Sequence, residues 1–328
     1  MDEIIEILLR SKEPSIRYKT FVNLLGGEPE SSRARRIQDE VKASNRVQGL
    51  FSERDGGHYE GKLPYHAYKK WSGAHWVLAL LADLGYPPGD RSLNPLFEQV
   101  YGWLLSEEHD KRFLVLDGRM RRCASQEGNA LFASLMLGYV NEGTHELARR
   151  LCAWQWPDGG WNCDKHPEAH HSSFHESLIP LRALVRYSKQ TGSQEARAAA
   201  ERAAEFFLRH ELYKREQDGT VINPHFVSLV YPSYWHYDIL YGLKVMQEAG
   251  KLGDPRCSAA LDLLRKKRLA DGGFPAEEKY YRLIHPDQNG HSPVGWGRTG
   301  KWVMNEFVTV EALSVLSKAK PSGGISYE

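Results

Sequence analysis

The stretch Gln155-Trp156-Pro157-Asp158-Gly159-Gly160-Trp161 decides how this chain reads. Asp-Gly suits a turn that needs positive φ and an Asx hydrogen bond. Here it separates two helical patterns, His145–Ala153 before it and Ser173–Tyr187 after it. Weaker copies stand at Asp55-Gly56-Gly57, Asp117-Gly118, Asp218-Gly219 and Asp271-Gly272-Gly273, and an aromatic follows at Tyr59, Trp161 and Phe274.

The helical patterns on the two sides of these turns differ in kind. Asp2–Arg10, Ser32–Lys42, Asn94–Ser106, His145–Ala153, Gln194–Tyr213 and Arg256–Lys267 are amphipathic with a charged face, as outer helices are. Ser15–Leu25, Ser72–Leu84, Ser125–Leu137, Ser173–Tyr187, Tyr234–Ala249 and Trp302–Lys318 are apolar nearly all round after a polar start, which predicts burial between layers. Several of these end in glycine, at Gly26, Gly85, Gly138 and Gly250, the usual left-handed stop. The two kinds alternate, outer then inner. Pairs that bury a face only against neighbours stack, so the pattern predicts an all-α (α/α)6 toroid of six inner and six outer helices. No Pro/Gly/Ser-rich linker divides it, so residues 1–328 read as one domain, with Asp2–Arg10 closing the outer ring.

The Gln155–Trp161 stretch resembles the Q-x-x-D-G-x-W repeat of squalene and oxidosqualene cyclases, whose toroid is shared with the β subunits of protein prenyltransferases. That resemblance to the terpenoid cyclase and prenyltransferase superfamily implies a helical toroid with a central cavity and raises isoprenoid chemistry as an expectation. The sequence departs from those families in its chemical motifs. It holds no Asp-x-Asp-Asp cyclization acid and no Asp-Asp-x-x-Asp, and Cys163-Asp164 lacks the spacing of the prenyltransferase zinc ligands. Their catalytic residues therefore do not carry over, and fold alone does not assign function.

Composition narrows the classes further. The net charge of +1 over 328 residues argues against a nucleic-acid surface. No apolar run approaches the ~20 residues of a membrane span. The acidic start is too short for a secretory signal, and four scattered cysteines suit a reducing, cytoplasmic setting. Nine Trp, sixteen Tyr and eleven Phe are a large aromatic complement in need of a location.

The inner-helix starts offer one. Aligned by their ends, they carry His75, Glu127, Glu176, Asp238 and Glu306 at one repeated position, with His175 and His236 beside it. In a closed toroid these starts converge on one mouth, walled by Trp71, Trp76, Phe174, Trp235, Tyr237 and Trp302, and an aromatic pocket with convergent polar groups is the default binding site. Carboxylates crowded together raise a pKa or admit a cation. The first outcome gives a general acid. The second gives a divalent metal site with carboxylate and imidazole ligands, for Zn, Mn or Fe. Bland readings stand beside these. Ser173-x-x-Glu176 is a capping box, His75 suits a hydrogen-bonded core histidine, and His166–His171 reads as an exposed loop. Arg122, Arg298 and Lys301 either hold an anionic substrate group or neutralise the acids. The leading expectation is a terpenoid-cyclase-like enzyme, a cyclase, isomerase or lyase, acting by acid/base or metal-assisted chemistry on a small substrate. Alternatives are a carbohydrate-active lyase, hydrolase or epimerase, distinguished by an open groove with a close carboxylate pair rather than a deep apolar chamber, and a non-catalytic ligand-binding toroid.

Overall fold

The structure is a computed structural model and describes residues 3–52, 54, 61–284 and 288–319. Asp55-Gly56-Gly57 and Tyr59 lie outside the described residues. Outer helix α1 (Glu3–Leu9) precedes inner α2 (Pro14–Lys19), which runs on as a π turn over Thr20–Leu24. Outer α3 (Ser32–Ala43) and short α4 (Asn45–Leu50) lead to inner α5 (Ala74–Leu84). Outer α6 (Asn94–Leu104), a single turn α7 (Glu107–Asp110) and a hairpin of β1 (Leu114–Leu116) and β2 (Arg119–Arg121) precede inner α8 (Ala124–Leu137). Outer α9 (Glu142–Trp154), inner α10 (Phe174–Thr191), outer α11 (Gln194–Arg209), inner α12 (Ile239–Glu248), outer α13 (Ser258–Lys266) and inner α14 (Glu306–Lys318) complete the order.

The inner helices close a ring. Helix α5 packs on α8, α8 on α10, α10 on α12, α12 on α14, α14 on α2 and its π turn, and α2 on α5. Outer α3, α6, α9, α11 and α13 lie on α2, α5, α8, α10 and α12, and α1 packs on α2 and its π turn. This is the (α/α)6 toroid that the alternating patterns predict. No helix among the described residues is long and apolar enough to cross a membrane.

The quoted stretch acts as a tie between layers. Gln155 Nε2 donates to the carbonyls of Gly159 (2.7 Å) and Ala199 (2.8 Å), and its Oε1 accepts from Arg202 Nε (2.9 Å), joining the end of α9 to α11. Asp158 accepts from the Ser172 amide and hydroxyl just before α10. Gly159 has φ +102°, and a Cβ there would meet the Arg202 carbonyl oxygen at 2.4 Å, so glycine is required. At Asp117-Gly118 both residues have positive φ, and the pair forms the tight turn between β1 and β2.

Two inner helices start later than their apolar patterns. Helix α12 begins at Ile239, not Tyr234. Tyr234 takes φ +50°, and Asp238 caps the helix by accepting from the Tyr241 amide (2.9 Å). Helix α14 begins at Glu306, not Trp302, because Asn305 Oδ1 accepts from the Phe307 and Val308 amides.

The barrel axis is ionic. Five inner helices each send one charged side chain to mid-barrel: Lys19, Asp83, Arg182, Lys244 and Glu311. Helix α8 contributes Phe132, whose ring lies 3.9 Å from the Arg182 guanidinium. Four of these groups form a closed ring: Lys19–Asp83 (2.8 Å), Asp83–Lys244 (2.9 Å), Lys244–Glu311 (2.8 Å) and Glu311–Lys19 (2.7 Å). Lys19 and Lys244 hold Asp83 and Glu311 below the usual carboxylate range despite burial, which pushes the other way. Breaking one member of such a buried set leaves charge unpaired, which costs about 3 kcal/mol or more. Lys19→Met therefore lowers the urea midpoint, and adding Glu311→Gln restores at least half of the loss; a Lys19→Met protein as stable as the wild type contradicts this account.

Candidate active site at the inner-helix starts

An aromatic arc runs around the mouth formed by the starts of α5, α10 and α12. Its ring centroids link Tyr68 to Trp76 (5.1 Å), Trp76 to Trp71 (4.8 Å), Trp71 to His236 (5.9 Å) and His236 to His175 (6.1 Å). His236 is sandwiched between Trp235 (4.1 Å) and Tyr280 (3.5 Å), and Lys70 Nζ stands over both Trp235 and Trp71. Trp71 is fixed from outside by its Nε1 donating to the Tyr280 carbonyl (2.7 Å).

The two half-buried imidazoles on the arc are held in opposite tautomers. His175 Nδ1 accepts from the Tyr237 amide (2.9 Å), which leaves its proton on Nε2. His236 Nδ1 lies 3.2 Å from the Ser233 carbonyl, an acceptor, so its proton is on Nδ1 and Nε2 keeps a lone pair. Burial lowers their pKa values to about 4 and about 3, so both are neutral near pH 7. His75 is also neutral, pushed down to about 3 by burial, and neither ring nitrogen has a hydrogen-bond partner among the described residues. It is packed among Trp76, Trp103 and Tyr68, not hydrogen-bonded as a core histidine usually is.

The four carboxylates at the helix starts each answer to a separate partner. Glu127 is fully buried, and its Oε1 accepts from Arg122 Nη2 (3.2 Å) with His109 Nε2 at 3.5 Å; burial raises its pKa. Arg122 also donates to Gln126 (2.9 Å) and contacts His109, so it neutralises Glu127. Glu176 Oε2 accepts from the Ser125 amide (3.0 Å) at the start of α8, not from its own helix, so the capping-box reading gives way to a cap across helices. Burial raises its pKa too. Asp238 accepts from the Tyr241 and Val230 amides, and burial, outweighing those bonds, pushes it up to about 7. Glu306 accepts from the Ser11 hydroxyl (2.9 Å), which ties α14 to the turn after α1.

The predicted carboxylate–imidazole metal set is not what the fold assembles. Among the described residues, the group of His, Cys, Asp and Glu with ligand atoms close enough to share a metal is Cys123, Cys163 and Glu176, all within 4.8 Å of one another. Asp164 is exposed and takes no part. Several predicted wall residues lie elsewhere. Trp302 is 89 % exposed because α14 starts after it, and Arg298 and Lys301 are exposed beside it. Tyr237 is buried behind the wall, its hydroxyl donating to the Leu212 carbonyl (2.6 Å), and Phe174 packs with it on Phe206, Phe207 and Phe226. The arc gains Tyr68 and Tyr280 from loops, where no helical periodicity points to them.

Behind the arc, a central cavity of about 80 Å³ is lined by Trp76, Asp83, Asn129, Tyr234, Asp238 and Glu311 among others. Segment 230–234 forms one wall of it, with Tyr231 reaching in to Asp83 (2.9 Å). At the opposite end of the inner helices, a larger cavity of about 730 Å³ is lined by Lys19, Arg182, Lys244 and Glu248 with Tyr18, Phe132 and Met136.

No protein-family model matches the chain, and no curated protein matches it. Among solved structures it is similar to a glycosyl hydrolase family 88 protein from Bacteroides vulgatus, with 13% identity, a TM-score of 0.45, and coverage of 96% of this chain and 97% of that one. A likeness at that level carries no argument about function, and the toroid rests on the ring of helix contacts.

The buried cap Asp238 has a pH signature. Its folded-state pKa of about 7 lies above the ~3.9 of an unfolded chain. The folded state therefore keeps a proton that the unfolded state has lost, and this group's contribution declines as pH rises between those values and is flat above them. Asp238→Asn is expected to gain on the wild type by ~1–3 kcal/mol between about pH 4 and pH 7 in urea unfolding; a difference constant with pH contradicts the assignment.

Proposed function

We propose that this toroid is an enzyme acting by acid/base chemistry on a small, polar, ring-shaped substrate of the carbohydrate class, bound at the inner-helix starts. The observation that carries the reading is the pair of neutral imidazoles in opposite tautomers, set in an aromatic arc. His236 Nε2 offers a lone pair to take a proton, and His175 Nε2–H offers a donor to the oxygen that gains charge. Half-buried Trp235 offers a ring face for the apolar side of a sugar, with Trp71 buried behind it, and Lys70 over both suits an anionic substituent.

The isoprenoid reading implied by the repeat motif finds less support. An isoprenoid calls for a deep apolar chamber, whereas the cavities of about 80 Å³ and about 730 Å³ on either side of the axial ions are both lined by those charges, Asp83, Arg182 and Lys244 among them. A panel of p-nitrophenyl pyranosides, with and without a carboxylate, tests the proposal by tryptophan fluorescence and by release of nitrophenol. His236→Ala is expected to retain binding and lose turnover by about 10²–10⁴-fold, while Trp235→Ala loses binding. Turnover of an isoprenoid diphosphate, with no pyranoside bound, would falsify the carbohydrate reading.

A further inference from the structure

We infer that Cys123, Cys163 and Glu176 hold a zinc ion at the same mouth. The three ligands come from separate pieces of chain. Cys123 is the residue before α8, Cys163 follows the Gly159-Gly160-Trp161 turn, and Glu176 is in the first turn of α10. Their ligand atoms all lie within 4.8 Å of one another, and Cys163 Sγ is 3.8 Å from Glu176 Oε1. In tetrahedral zinc with Zn–S bonds of ~2.3 Å, two sulfurs stand ~3.8 Å apart, within the spread of this set.

The surroundings hold the ligands in place. Glu176 Oε2 accepts from the Ser125 amide, which fixes the carboxylate and turns Oε1 toward the sulfurs. The loop carrying Cys163 is pinned beside β2, where Arg121 pairs with Asn162 and the next residue's amide, Arg122, donates to the Asn162 carbonyl (3.1 Å), and to the far side of the same loop, with Asn162 Nδ2 donating to the His171 carbonyl (2.8 Å). Such outer contacts set ligand orientation in metal sites. Two thiolates and a carboxylate select a borderline-soft cation such as zinc over magnesium or calcium. Three protein ligands leave a fourth position for water or a substrate oxygen, as in catalytic rather than structural zinc sites. Both cysteines are half-buried, so the cation can enter.

This site does not depend on the acid/base reading, because neither His175 nor His236 is a ligand. The test uses the full-length protein, stripped with chelator, reduced, and titrated with Co²⁺ and then Zn²⁺. One equivalent of Co²⁺ is expected to give thiolate-to-metal charge-transfer absorption, and Zn²⁺ to shield two of the four cysteines from a thiol reagent. Cys163→Ser and Glu176→Gln are expected to weaken Co²⁺ binding at least ~10-fold, with helical circular dichroism unchanged, while Cys152→Ser and His236→Ala bind as the wild type does. Co²⁺ uptake without charge transfer, the same spectrum in Cys163→Ser as in Cys152→Ser, or no uptake by the reduced protein overturns the proposal.

Discussion

The closed ring of Lys19, Asp83, Lys244 and Glu311 is the constraint on which the rest of the molecule depends. It joins helices from both ends of the chain: Lys19 and Glu311 are 292 residues apart, Lys19 and Asp83 are 64. Hydrophobic contact between apolar inner helices is non-directional and would tolerate many rotations of one helix against the next. Charges in low dielectric do not, because an unpaired buried ion costs several kcal/mol. The ring therefore fixes which face of α2, α5, α12 and α14 points to the axis, and Arg182 extends it to α10 through Asp83 and Glu248. Helix α8, which supplies Asn129 and Phe132 there but no charge, is held by close packing instead. A Cβ on Gly128 would come within 2.9 Å of the backbone nitrogen of Pro180 in α10.

Filling the axis with ions also decides where chemistry can take place. The mid-barrel cavity is small and lined by Asp83, Arg182, Lys244 and Glu311, and segment 230–234 walls it. The mouth at the inner-helix starts keeps the imidazoles of His175 and His236 uncharged near neutral pH, and burial there raises the pKa values of Glu127 and Glu176. The two regions are electrostatic opposites. Paired ions hold the barrel together, and aromatic rings with two neutral imidazoles line the end proposed to meet a substrate.

The fold was legible because its signals are local and repeated. Apolar inner patterns, charged outer patterns, glycine stops such as Gly85 and Gly138, and the Asp-Gly turns each follow from short-range rules. The starts of α12 and α14 were not, since Asp238 and Asn305 cap the helix starts partway along the apolar patterns. The site was legible in part. His175, His236, Trp71, Trp76 and Trp235 do share one mouth, although Trp71 stands before α5 and Trp235 and His236 before α12, in the connecting segments rather than on the helices. The four carboxylates do not pool, since each finds an amide, hydroxyl or arginine nearer than its fellow acids. Cys123 escaped notice because its partners, Cys163 and Glu176, are 40 and more residues away along the chain. The axial ions did leave a trace, as single charges set into apolar runs: Ala82-Asp83-Leu84 and Leu243-Lys244-Val245.

The measurement that bears most directly on this account is an anomalous-difference map at the zinc edge from crystals of the zinc-loaded protein. With the functional end proposed at the inner-helix starts, the axis holds structural ion pairs alone. One strong peak bounded by the sulfurs of Cys123 and Cys163 and the carboxylate of Glu176 is expected, with none on the axis. A peak between Asp83 and Glu311, or none at the mouth, would contradict it.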